Sequence, residues 1–179
     1  MHKLAVFAIL VASASARADA PKLVKVDTEK QPLKLSAPAG WEVHTMAPAH
    51  KDLATIAAIS PDCAGGPDIS VAIQLDQNWT KPAQLLADQY KGVKSTKLHG
   101  WDCIVREANT EVMCAGKLAG LSGIVGVYFA TTSAESFKRF GDPGDFTASV
   151  AASLAWSGKL SALGDWKRAA TDEAKAACK

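Results

Sequence analysis

Cys103 and Cys114 bracket the segment CIVREANTEVMC, which constrains this chain more than any other stretch of it. The segment reads as two short strands around Ala108-Asn109. In an antiparallel hairpin, a turn centred there sets Cys103 opposite Cys114 and Arg106 opposite Glu111. Directly opposed residues have Cα atoms about 4.5–5.5 Å apart, a separation that a disulfide tolerates. The same register places an ion pair on the sheet face opposite the cystine, because successive side chains alternate between faces. Two unrelated features therefore ask for one hairpin.

The chain has four cysteines, and the other two are Cys63 and Cys178. An even number in an exported protein reads as two disulfides. Pairing Cys63 with Cys178 would staple the C-terminal segment to the body of the domain. The alternative leaves both free or paired between molecules. The chain holds no Cys-x-x-Cys, so neither a zinc site nor a thiol redox motif is favoured.

Export is expected from the first residues. His2-Lys3 is a short basic start, Leu4 to Ala12 is apolar, and small residues follow. Ala14-Ser15-Ala16 and Ala18-Asp19-Ala20 both fit a signal-peptidase site, giving a signal peptide of residues 1–16 or 1–20. The apolar run is roughly half the ~20 residues a membrane span needs, so no stable membrane anchor is expected after cleavage. The location implied is periplasmic or secreted. A single α+β domain is expected over residues 21–160, with a C-terminal helical tail at 161–179 attached to it. The formal charge of +2 is too balanced to call for nucleic acid.

Along the domain, LVKV (23–26), LKL (33–35) and WEVH (41–44) alternate as short strands, with a turn at Ala37-Pro38-Ala39-Gly40. Leu53 to Ile59 and Ile69 to Leu75 read as strands on either side of a Cys63-Ala-Gly-Gly-Pro67 loop. A helix follows, capped by Thr80, with Pro82 in its first turn and Ala83, Leu86, Ala87 and Tyr90 on one face; Gly92 stops it. A strand near Val93–Leu98, the cystine hairpin and a long strand from Gly123 to Thr131 come next. Ser133 caps a short helix carrying Phe137 and Phe140, which Gly141 ends. Asp142-Pro143-Gly144-Asp145 opens another that carries Phe146, Val150 and Leu154 and runs to near Trp156. Residues 165–177 are alanine-rich and charged, a peripheral helix leading to Cys178. The fold class is α+β, an antiparallel β-sheet covered by helices.

The Pro38-x-Gly40-Trp41 turn, the strand–helix–strand passage over 69–98, and the closing run from Val125–Thr131 through Ala134-Glu135-Ser136-Phe137 to Phe146 and Ser153-Leu154 resemble the PsbP-like superfamily. That superfamily includes bacterial DcrB-type proteins. The resemblance spans about residues 32–156 and implies a layered domain that works as a binding, assembly or accessory protein. It brings no catalytic motif, so no site residues carry over. The two disulfides and the 165–178 tail depart from it.

The residues offer little chemistry of their own. Beyond the signal segment the histidines are His44, His50 and His99, and no HxH or HExxH occurs. Gly-x-Ser-x-Gly is absent. Gly116, Gly120, Gly123 and Gly126 read as close backbone approach or a twisted strand, since no strand–GxGxxG–helix surrounds them. Asp62 and Asp68, beside the Cys63 loop, are a weak candidate for Ca²⁺. Asn78-Trp79-Thr80 is a glycosylation sequon in a eukaryotic host only. Of the five tryptophans, Trp41, Trp101 and Trp156 are core candidates, whereas Trp79 and Trp166 could contact a partner.

The expectation is a non-catalytic exported binding protein, with no cofactor or metal and with an unidentified protein or envelope component as partner. Two alternatives stand beside it. One is a hydrolase whose site forms only in three dimensions, with a histidine within reach of an acid or a serine. The other is a small-ligand or metal carrier.

Overall fold

The computed structural model describes residues 20–26, 28, 31–45, 53–61, 68–74 and 80–159. The signal segment, the Cys63 loop, Trp79, His50 and the tail carrying Trp166 and Cys178 lie outside the described residues.

Seven antiparallel strands form the main sheet. They are β4 (Trp41–Thr45), β5 (Leu53–Pro61), β6 (Asp68–Gln74), β7 (Thr96–Leu98), β8 (Trp101–Arg106), β9 (Glu111–Gly116) and β10 (Ile124–Ala130), in the order β4-β5-β6-β10-β9-β8-β7. The cystine hairpin β8–β9 has the register its sequence demands, with Cys103 opposite Cys114 and Arg106 opposite Glu111. A 3₁₀ turn at Glu107–Asn109 closes it, with Thr110 in the left-handed region. The disulfide Cys103–Cys114 is formed, with Cα atoms 4.1 Å apart. Both cysteines are buried.

Two small ribbons lie beside the main sheet, and the second joins the two ends of the described domain. β1 (Leu23–Lys25) pairs with β3 (Ser36–Pro38), and β2 (Leu33–Lys34) pairs with β11 (Ala155–Trp156). This differs from the sequence expectation in two places. Ala37 and Pro38 belong to a strand, and the turn is confined to Ala39-Gly40, where Gly40 has φ 82°. Proline is tolerated there because a two-stranded ribbon leaves edge positions that donate no ladder hydrogen bond. The last helix, expected to reach Trp156, stops at Ala152, and Trp156 instead lies opposite Leu33.

Alternation along the strands sorts the side chains into two layers. Trp101, Cys103, Val112, Cys114, Val125, Val127 and Phe129 face the main core. That face is closed by α2 (Ala134–Lys138) and α3 (Pro143–Ala152). Both helices start as their sequences ask. Ser133 Oγ accepts from Ser136 N–H at 3.1 Å, and Asp142 Oδ1 accepts from Asp145 N–H at 3.0 Å. Phe129 is the hub, with ring centroids 4.9 Å from Phe140, 5.4 Å from Phe146 and 5.9 Å from Phe137. Trp101 is buried in this core, and Trp41 and Trp156 pack against it half-buried.

The opposite face carries Ile104, Ala115 and Ile124, covered by α1 (Pro82–Gln89). Its cap position is Lys81 rather than Thr80, and Leu85 and Leu86 are the buried pair. Ala83 and Ala87, expected on the buried face, are exposed. The wide aliphatic groups fill the space over Ile104 and Ile124, where an alanine methyl would leave a gap. The following stretch, expected as strand from Val93, shortens to Thr96–Leu98. Among the described residues no helix is long and apolar enough to cross a membrane.

Candidate functional site

Two side-chain clusters combine titratable groups with exposure. The first grows from the β8–β9 hairpin. Arg106 and Glu111 close the ladder on the α1 side of the sheet and form an ion pair. Tyr128, on β10, sits diagonal to Glu111, since Tyr128 pairs with Met113 and Ala130 with Glu111. Its hydroxyl donates to Glu111 Oε2 at 2.7 Å. The carboxylate thus has one oxygen on the guanidinium and the other on a phenol. Tyr90, just beyond α1, places its ring 5.5 Å from the Arg106 guanidinium carbon, within cation–π range.

Burial pushes the Tyr128 phenol up to about 12, and the hydrogen bond and negative charge of Glu111 push the same way. The Tyr90 phenol is also raised, first by burial and then by Glu111, against the opposing effect of Arg106. Both phenols therefore stay neutral at physiological pH and act as hydrogen-bonding, aromatic surface. Arg106 remains 36 % exposed while Glu111 is 15 % exposed. A guanidinium held in place by a half-hidden carboxylate and flanked by two tyrosines is the composition of an interaction hot spot.

The second cluster sits at the tip of the β7–β8 hairpin. Leu98 pairs with Trp101, so His99-Gly100 is a two-residue turn, with φ 46° and 85°. Left-handed conformation at both positions is the geometry of a type I′ turn, and histidine is among the residues that accept it. The turn projects His99 onto the first turns of α3. His99 Nε2 lies 2.8 Å from Asp145 Oδ1 and 3.3 Å from Ser149 Oγ. The acid and the hydroxyl converge on the same ring nitrogen. A Ser-His-Asp relay needs them on opposite nitrogens, so that the base nitrogen stays open to the hydroxyl while the acid holds the other. His99 and Asp145 are also 44 % and 58 % exposed, so bulk water competes for every contact.

The remaining sequence candidates distribute as follows. Cys103 and Cys114 are bonded and buried in the main core, a structural position. Cys63, Cys178, Trp79 and Trp166 lie outside the described residues, as does Asp62, while Asp68 begins β6. His44 lies in β4, opposite Ala58 of β5. Among the described residues no three His, Cys, Asp or Glu side chains stand together as a metal site would require. The close backbone approach expected of four glycines holds for two of them, and the other two are turn positions. Gly116 and Gly126 lie under Trp101 and Met113, and Gly120 and Gly123 have positive φ. Reading the sequence missed Tyr128 and treated Tyr90 as helix core. The signal for Tyr128 was present, since alternation puts it on the face away from Phe129.

No protein-family model matches this chain, and no curated protein matches it. The chain is similar to the solution structure of cyanobacterial PsbP (CyanoP) from Synechocystis sp. PCC 6803. The identity is 13 %, over 75 % of this chain and 92 % of that one, with a TM-score of 0.42. That likeness is one of fold alone.

Proposed function

We propose that this chain is an exported, non-catalytic binding or accessory protein of the cell envelope, whose partner is a protein or another envelope component. The observation that carries the reading is the Tyr90–Arg106–Glu111–Tyr128 patch, a pre-ordered aromatic and cationic surface on the sheet face away from the main core. A buried cystine supports an oxidising compartment, and the N-terminal segment supports a periplasmic or secreted location. Trp79 and Trp166 are further partner-contact candidates.

The test is cross-linking and capture from native envelope, with the wild-type chain and Arg106→Glu compared. Capture of a defined component that Arg106→Glu abolishes is the expected result. Capture unaffected by Arg106→Glu would reject the patch, and no envelope component captured by the wild-type chain would reject the role. N-terminal sequencing of the mature chain checks export, with Arg17 or Pro21 expected as the first residue.

The hydrolase reading has His99 as its best group. It requires Ser149→Ala to abolish turnover of an ester or peptide substrate. The convergence of Asp145 and Ser149 on one nitrogen weighs against that outcome.

A further inference from the structure

α1 is fixed differently from the other two helices. Side chains cap α2 and α3, but Lys81 at the start of α1 makes no side-chain cap hydrogen bond. The first turn of α1 holds no acid and its last turn no base, so nothing on the helix complements its dipole. An eight-residue helix has little stability of its own and depends on tertiary packing. That packing is Leu85 and Leu86 against Ile104, Ala115 and Ile124, a cluster separate from the main core. α3, in contrast, buries Phe146, Ala148, Val150 and Ala151 in the main core.

The C-terminal end of α1 is fastened by a chain of polar contacts. Tyr90 lies on Arg106, Arg106 is paired to Glu111, and Glu111 accepts from Tyr128. Two residues beyond Tyr90, Gly92 has φ 83° in a turn closed by Val93 N–H donating to the Tyr90 carbonyl at 3.0 Å. With only Leu85 and Leu86 buried and no side-chain cap at its start, α1 has few of the contacts that keep a segment closed up to the global unfolding free energy.

We propose that α1 is a lid, latched by Tyr90 on Arg106, which opens as a unit while β8–β10 and α3 stay folded. Opening uncovers the strip of Ile104, Ala115 and Ile124 together with Met113, whose flexible thioether packs over Gly126. In the closed state Leu85 and Leu86 occupy that strip. The latch uses residues of the patch proposed above, but opening is read on the isolated chain with no partner present, so failure of the lid and failure of the partner reading are distinguishable.

Hydrogen exchange read by mass spectrometry on the full oxidised chain tests this directly. The α1 amides are expected to be at least roughly tenfold less protected than those of α3 and of β9–β10. Tyr90→Ala should lower α1 protection by about a further two- to fivefold, the worth of an exposed cation–π contact. The same variant should raise the fluorescence of the apolar dye ANS and leave α3 protection unchanged. Arg106→Gln, which keeps Tyr90 and removes the cation, should reproduce the selective loss in α1. The lid is overturned if wild-type α1 exchanges in step with α3. It is equally overturned if either variant weakens α1 and α3 alike, or if ANS fluorescence does not change in Tyr90→Ala.

Discussion

Tyr128 donates its hydroxyl to the Glu111 carboxylate, 2.7 Å away, from the neighbouring strand and two residues along the ladder. A phenol hydrogen-bonded to a carboxylate cannot ionise without setting two negative charges against each other. Burial adds to this, and together they raise its pKa to about 12. In the unfolded chain the same phenol titrates near the ordinary tyrosine value of 10.0. The neutral form is therefore favoured by folding. This contribution is fully present below about pH 10 and is lost as the pH rises through about 12. Phenolate absorbance should show both tyrosines titrating late with Tyr128 last, and Tyr128→Phe should remove that last phase. Glu111→Gln should move it back toward the ordinary tyrosine range. A Tyr128→Phe titration identical to wild type would refute the assignment.

The cystine should be both stabilising and hard to reach. Closing a loop of this size limits the unfolded chain by about 3 kcal/mol in the loop-entropy account. The Cys103→Ala/Cys114→Ala double variant should lose about that much in urea unfolding, plus a small cavity cost. Since both cysteines are buried, reductant should open this bond in the native protein only at the rate of unfolding. Rapid thiol labelling of Cys103 or Cys114 under native reducing conditions would contradict that burial.

Phe129 touches the rings of Phe137, Phe140 and Phe146, contributed by α2, the loop after it, and α3. It is the point where the sheet meets both helices. Phe129→Ala should cost about 3–5 kcal/mol, the range for a fully buried phenylalanine. Phe129→Leu keeps most of the volume and should cost clearly less. The two unfolding midpoints, compared, separate volume loss from ring-specific contact.

These elements were unequally legible in the sequence. The β8–β9 register was readable because Cys103–Cys114 and Arg106–Glu111 impose the same pairing. The starts of α2 and α3 were readable because Ser133 and Asp142-Pro143 are local signals. α1 was misread because its alanines fit either face, and only Ile104 and Ile124, distant in sequence, select Leu85 and Leu86. Trp156 extended an apparent helix because its partner, Leu33, lies at the other end of the domain. The His99 contacts join residues 46 and 50 positions apart, so no spacing rule could reveal that Asp145 and Ser149 share one nitrogen.

Two strand glycines make a paired test of what close approach costs. A Cβ at Gly116 would stand 2.5–2.8 Å from three atoms of the Trp101 ring. That ring is buried in the main core and cannot move without disturbing its neighbours. A Cβ at Gly126 would stand 2.5 Å from Met113 Cε, the free end of an unbranched side chain. Met113 can change rotamer, and alanine suits a strand better than glycine does. Gly116→Ala should therefore destabilise the fold by about 1–3 kcal/mol, the usual cost of overpacking. Gly126→Ala should cost under about 1 kcal/mol, because the methionine gives way. Urea midpoints measured side by side decide the matter. Equal losses at the two positions would mean that the backbone, rather than the side chain lying over each glycine, sets the requirement for glycine.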